Sequence, residues 1–263
     1  MIKSLFYFLF LFSSELALAG ATCTDIPGKQ SHTPLKIKDG VVCFVEQIAL
    51  DEQNNPADVK KVVYAIIQGH EPIKANNGEL PSGGGYNSEK IVDAFTLDID
   101  QDGKDEVVVI QFVEVRSTLA EPNSSRKFYD VNIFSQEETN LTRNIRASEW
   151  FGHAYSWFSD GRKIIYKFPY MTQQSIRNAL TSPFASLMIR DETIPVIVKY
   201  KSFLYEHSMV YGKPKKYLIA GDKATVDKYT AGWCRVNYTG GKQPLQMWMM
   251  CDALEVDKKG KEQ

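Results

Sequence analysis

The chain has 263 residues, of which 31 are basic and 32 acidic, so the formal net charge is −1; 43% of the side chains are hydrophobic and 12% aromatic. So even a balance gives no field able to gather nucleic acid or an anionic membrane face, and neither partner is expected. The length suffices for one large domain or two modest ones, each with its own core.

The opening residues, MIKSLFYFLFLFSSELALAGATC, combine Lys3, an apolar block from Leu5 to Phe12 and a small-residue end. That is the pattern of a secretory signal peptide over residues 1–19, and the block is too short to span a bilayer. Ala17 and Ala19 fit a cut after Ala19, and Ala19 with Ala21 offer a cut after Ala21. The mature chain is therefore expected in the periplasm or secreted, with no transmembrane segment. In that oxidising setting the cysteines Cys23, Cys43, Cys234 and Cys251 favour two disulfides over free thiols.

Alternating stretches rich in β-branched and aromatic residues follow at 41–48, 61–68, 91–99, 106–115, 128–135, 163–168 and 194–200. Turn-forming clusters such as EQNNPAD, SGGGYNSE, AEPNSS and SDGR separate them, which predicts an antiparallel all-β chain. One helix is expected, over TQQSIRNALTSP, with Thr172 as N-cap and Pro183 beyond its end.

The segment FTLDIDQDGKDEVVVIQF carries the most specific spacing, D-x-D-x-D-G-x-x-E. Asp98, Asp100, Asp102 and Glu106 would offer carboxylates and Lys104 its carbonyl, the hard oxygen donors that calcium takes, while Gly103 allows the sharp turn. An EF-hand would need a glutamate at its twelfth position and flanking helices, whereas this chain has Val109 there and strands on both sides. The loop resembles the calcium loop of FG-GAP or VCBS-type repeats, present once rather than as a string of repeats. The resemblance implies a structural calcium ion, and a solvated acidic turn is the alternative.

Catalytic spacing is not found. His32, His70, His153 and His207 are scattered without zinc-site spacing, there is no G-x-S-x-G elbow, and the Gly-rich SGGGY lacks the Lys-Ser/Thr ending of a phosphate loop. The aromatic run EWFGHAYSWF places Trp150, Phe151, His153, Tyr155 and Trp157 close to Arg143 and Arg146, a composition suited to a docking surface or to core packing. His153 would be the centre of any non-local hydrolytic site.

The strand pattern breaks between 182 and 193, so a boundary is expected there. A β-rich domain would occupy 20–190, a second 191–257, and a disordered charged tail 258–263. In the second, TGGKQPLQ reads as a hairpin turn between WCRVNY and MWMMC. With Tyr238 facing Met247, an antiparallel ladder sets Cys234 opposite Cys251, which leaves Cys23 for Cys43. The residues YLIAGDKATV, Gly232-Trp233 and Trp248 before CDAL resemble a bacterial SH3-like domain, a small five-stranded barrel common on exported proteins. The resemblance implies peptide or cell-wall binding through aromatic side chains, with Tyr205, Tyr211, Tyr229 and Trp248 as candidates, although Trp233 and Trp248 also suit a barrel core.

Together these features describe an all-β protein: an N-terminal antiparallel domain, sandwich-like or a partial propeller, and a C-terminal SH3-like barrel. The expected function is non-enzymatic binding of a protein partner in the periplasm, within which an immunity protein against an envelope-targeted toxin is the sharper reading. A peptidoglycan-binding accessory protein and a hydrolase with a non-local site are the alternatives.

Overall fold

The computed structural model describes residues 21–50, 52–82, 89–117, 119–210, 212–241 and 243–258. The expected signal peptide over 1–19, Tyr211 and residues 259–263 of the expected tail lie outside these ranges.

The first half is built from β1 (Lys29–Gln30), β2 (Leu35–Ile37), β3 (Gly40–Leu50), β4 (Pro56–Ile67), β5 (Ile73–Glu79), β6 (Glu89–Leu97), β7 (Glu106–Glu114), β8 (Lys127–Gln136) and β9 (Leu141–Arg143). Helix α1 (Ile145–Phe151) follows, then β10 (His153–Tyr155), β11 (Trp157–Ser159), β12 (Ile164–Lys167), α2 (Gln173–Ala179) and α3 (Ser186–Ile189). The second half holds β13 (Ile194–Val198), β14 (Ser202–Leu204), β15 (Lys216–Leu218), β16 (Lys223–Thr230), β17 (Trp233–Tyr238), β18 (Leu245–Met250) and β19 (Leu254–Val256). The all-β expectation holds.

Strands β1 to β10 form one curled sheet in the order β1-β3-β4-β5-β9-β8-β7-β6, with β2 also on β3 and β10 also on β8. Its two arms, β1 to β5 and β6 to β10, join through a parallel bridge of Asn76 to Thr142, where Asn76 Nδ2 donates to Thr142 Oγ1 at 3.0 Å. The arms face each other across an apolar layer in which Val42, Phe44, Val63 and Ala65 meet Ala94, Val107, Val109 and Phe134. The sandwich-like arrangement is thus made inside a single sheet.

Strand β7 departs from alternation because both of its faces are covered. Val107 and Val109 point into the layer between the arms, whereas Val108 and Ile110 point outward into a second core. That is why VVVI reads as a continuous apolar run. In the second core Val131 and Ile133 of β8 lie with Trp150 and Phe151 of α1, Ile176 of α2, and Val226, Trp233 and Val236 of the C-terminal sheet. One core therefore runs across the 182–193 stretch, which forms α3 and buries Leu187 and Met188 in it.

The aromatic reading of its residues does not anticipate helix α1. Asn144 caps it by accepting the Ala147 N–H at 3.0 Å, and Gly152 ends it at φ 66°. A Cβ at Gly152 would collide with the Thr230 hydroxyl, so the close approach of α1 to the second half requires glycine. The carbonyls left open at the helix end are taken by that half: Thr230 Oγ1 donates to Glu149 O at 2.6 Å and Ala231 N to Trp150 O at 3.2 Å. The expected helix is present as α2, and the Thr172 side chain accepts the Ser175 N–H at 3.2 Å.

The C-terminal sheet runs β18-β17-β16-β13-β19, and a single turn of 3-10 helix, Cys251–Ala253, precedes β19. The hairpin register corrects the expectation. Tyr238 pairs with Leu245, Val236 with Met247 and Cys234 with Met249, two residues away from the predicted ladder. Cys251 still reaches Cys234 because the chain leaves β18 at Met250 and bends back over β17, the Cys251 N–H donating to Gly232 O at 3.0 Å. Both expected disulfides are present, Cys23–Cys43 with a Cα separation of 5.5 Å and Cys234–Cys251 with 5.2 Å. Among the described residues no helix is long and apolar enough to cross a membrane.

Candidate metal centre and surface recesses

The acidic loop joins β6 to β7. Its turn is held by its own carboxylates: Asp98 accepts the N–H groups of Asp102 and Gly103, each at 3.1 Å, Asp100 accepts that of Asp102 at 3.2 Å, and Asp102 that of Lys104 at 2.8 Å. Gly103 sits at φ 87° and Gln101 at φ 63°, the left-handed geometry such a turn demands. Glu106, only 5% exposed, closes the base of the loop by accepting the Ile99 N–H at 2.9 Å.

Asp98, Asp100 and Glu106 each bring an oxygen to within 4.8 Å of the others. Burial pushes the Glu106 carboxyl up to about 7; the Ile99 N–H opposes this, and the charges of Asp100, Asp102 and Asp98 add to it. A cation at this trio would relieve the burial and repulsion together. The oxygen-only donor set suits a hard ion such as calcium. Of the other two expected ligands, Asp102 is exposed with its carboxylate on the Lys104 N–H, and both it and Lys104, whose carbonyl was the expected donor, line the same recess as Asp100 and Glu106. Asp39, Glu137 and Glu138, from two other turns, line the same recess as Asp100 and Glu106. No local spacing announces those three, since they come from distant parts of the chain.

The aromatic candidates divide by burial. Trp150, Phe151 and Tyr155 belong to the second core, the core-packing alternative rather than a docking surface, and Tyr229, a candidate for peptide or cell-wall binding, is buried there as well. The cause is helix α1, which turns both aromatic rings of its last residues inward, where the Trp150 indole donates to Phe184 O at 3.1 Å and Tyr170 and Tyr229 share a hydrogen bond. Burial raises the phenol of Tyr229 to about 12. Trp233 is fully buried in the second core, the core role that the sequence also allowed for it. Trp157, Tyr205 and Trp248 are half-buried, and Tyr205 and Trp248 exchange backbone hydrogen bonds of 2.7 and 2.8 Å.

His153 remains exposed at the side chain, 67%, with Nδ1 3.9 Å from Asp130 Oδ1. That is beyond hydrogen-bond reach, so the ring is not oriented by Asp130 in this structure. Burial raises the Asp130 carboxyl above the usual aspartate range, opposed by His153, the Asn132 amide and Arg143. Arg143, Ser208 and Lys228 line the same open recess.

A larger feature lies between the two halves. Two adjoining recesses, of about 590 and about 680 Å³, share Glu121, Tyr205, Gly212, Lys213 and Pro214. Leu204, Phe158, Met247 and Met250 give them an apolar floor, and lysines stand at their rims. Sequence reading found Tyr205 here but not the lysines, which are spread over 163–216.

No family model matches the chain, and neither a curated protein nor a solved structure matches it. What fold and covalent structure define is an all-β, doubly disulfide-bonded protein of a non-cytoplasmic compartment, because such bonds persist where the surroundings are oxidising.

Proposed function

We propose that this chain is a non-enzymatic binding protein of the periplasm or cell exterior that holds a protein partner on its surface. Within that class it is an immunity protein that occludes an envelope-targeted toxin. The observation that carries the reading is the pair of recesses between the halves, set in a frame that one continuous core and two disulfides make rigid. A preorganised recess with an apolar floor loses little entropy on binding. The order β18-β17-β16-β13-β19 supports reading the C-terminal half as an SH3-like barrel, whose role would be to present one wall of that recess. Calcium at Asp98, Asp100 and Glu106 would tie β6 to β7 and has a structural role in this reading.

The test is chemical crosslinking in the native envelope through a C-terminal tag, identification of the captured protein, and reconstitution of the pair from pure components. A 1:1 complex whose formation protects cells from the captured protein is the expected result. Sedimentation of the pure chain with sacculi, without any protein partner, would replace the reading with a cell-wall role.

A further inference from the structure

The recess between the halves also carries information about what it holds. Resting on the protein-binding reading, we propose that it takes an extended acidic segment of the partner, in which carboxylates alternate with apolar side chains.

The charge pattern is the first argument. The chain as a whole is nearly neutral, yet Lys163, Lys201, Lys213, Lys215 and Lys216 converge on this one feature. Among the described residues none of these five has a carboxylate within ion-pair distance, so their charges are open to a partner. Of the acidic residues lining the recess, Asp160 already serves its own turn, accepting the N–H groups of Arg162 at 2.9 Å and Lys163 at 3.0 Å. That carboxylate keeps its charge, so Asp160, Glu121 and Glu206 stand against five ammonium groups, still a local excess of positive charge. Lys201 is held in place, its ammonium 4.1 Å above the Tyr217 ring and 5.9 Å from that of Phe203.

The floor is the second argument. Phe203, 45% exposed, lines the recess, and Leu204, Met247 and Met250 lie beneath it. The Phe203 and Tyr217 rings stand at 87° to each other, so they offer no shared flat platform for a sugar ring. An extended peptide fits both features at once, because its successive side chains point to opposite sides, apolar ones to the floor and carboxylates to the lysine rim.

The experiment uses the mature disulfide-bonded chain and two fluorescein-labelled eight-residue peptides, one alternating Glu with Leu and the other Lys with Leu, read by anisotropy. The acidic peptide should bind saturably and weaken when salt is raised to about 0.3 M, where screening shortens the reach of surface charge. Lys201→Glu/Lys215→Glu should weaken it at least about tenfold, and Lys29→Glu/Lys90→Glu, placed elsewhere, should leave it unchanged, both variants keeping the parent melting curve. Equal binding of the two peptides, or no effect of the Lys201/Lys215 reversal, would overturn the assignment. So would sacculi retained by the parent and lost by that reversal. The two readings separate in the crosslinking experiment. If the reversed variant captures the native partner as well as the parent, this docking site is wrong and protein binding stands. If the parent captures no protein although the peptide results hold, protein binding in the envelope falls and the acidic-peptide site stands.

Discussion

The Trp150 indole stacks on the Tyr229 ring with 4.3 Å between centroids and 22° between planes. One ring belongs to α1 and the other to β16, so the contact fastens the first half of the chain to the second. Trp150→Ala should cost about 3 to 5 kcal/mol, the usual range for removing a large buried aromatic. Because the core is shared, calorimetry should show one transition moving as a whole. Two transitions, with only one displaced, would mean the halves are energetically separate.

The acidic loop makes a prediction in which metal and proton compete. The Glu106 carboxyl titrates at about 7 in the folded chain, against an ordinary value of 4.5. Its folded pKa is raised, so without metal the stability it contributes is fully present below pH 4.5 and is lost as pH rises through about 7. Calcium should therefore raise the melting temperature more at pH 8 than at pH 5, and a chelator should abolish the difference. Asp100→Ala should remove the calcium increment. Superimposable melting curves with calcium and with chelator at pH 8 would dismiss the metal.

Glu79 titrates the other way. Hydrogen bonds from Lys60 at 2.9 Å and Lys74 at 2.7 Å hold its carboxyl down at about 2. A depressed carboxylate contributes stability above pH 4.5 and loses it as pH falls through about 2. The pairs are solvent-exposed, so Lys74→Ala should change stability by less than about 1 kcal/mol while moving the Glu79 titration upward, as read by NMR. An unmoved titration would show that the lysine is not engaged in solution.

The two disulfides close loops of similar size, with sequence separations of 20 and 17. Replacing either pair by serine should cost roughly 3 kcal/mol if the bond acts mainly on the unfolded chain. Denaturant midpoints of Cys23→Ser/Cys43→Ser and Cys234→Ser/Cys251→Ser measure this. A much larger loss for the second pair would instead show that Cys251 holds the 3-10 turn and β19 in place.

Strands such as 41–48 and 128–135 were legible through their β-branched and aromatic residues bounded by turn-forming clusters, although each buries side chains on both faces. Thr172 announced α2 through its own chemistry, and the cysteines announced their pairing. Helix α1 escaped although Asn144 and Gly152 mark its two ends, because its dense aromatics suggested a surface instead. The hairpin register slipped by two residues because TGGKQPLQ leaves the turn length open, and a shift of two keeps every side chain on its own face. Of the candidate metal site, the loop itself was visible, but Asp39, Glu137 and Glu138 reach its recess only through the curl of the sheet. The lysine rim assembles from segments on both sides of α2 and α3 and leaves no local pattern at all.

A strand with no solvent face cannot be sheltered by its neighbours in sequence alone. Val108 and Ile110 share a core with side chains as late as Trp233 and Val236, so a chain emerging in order carries this outer face of β7 incompletely covered until its last third is made. Such a segment invites self-association, and the charges of Asp105 and Glu106 directly ahead of it act as a brake. Once the molecule is complete, the amides of β7 should be the slowest in it to exchange with solvent, since only global opening exposes them.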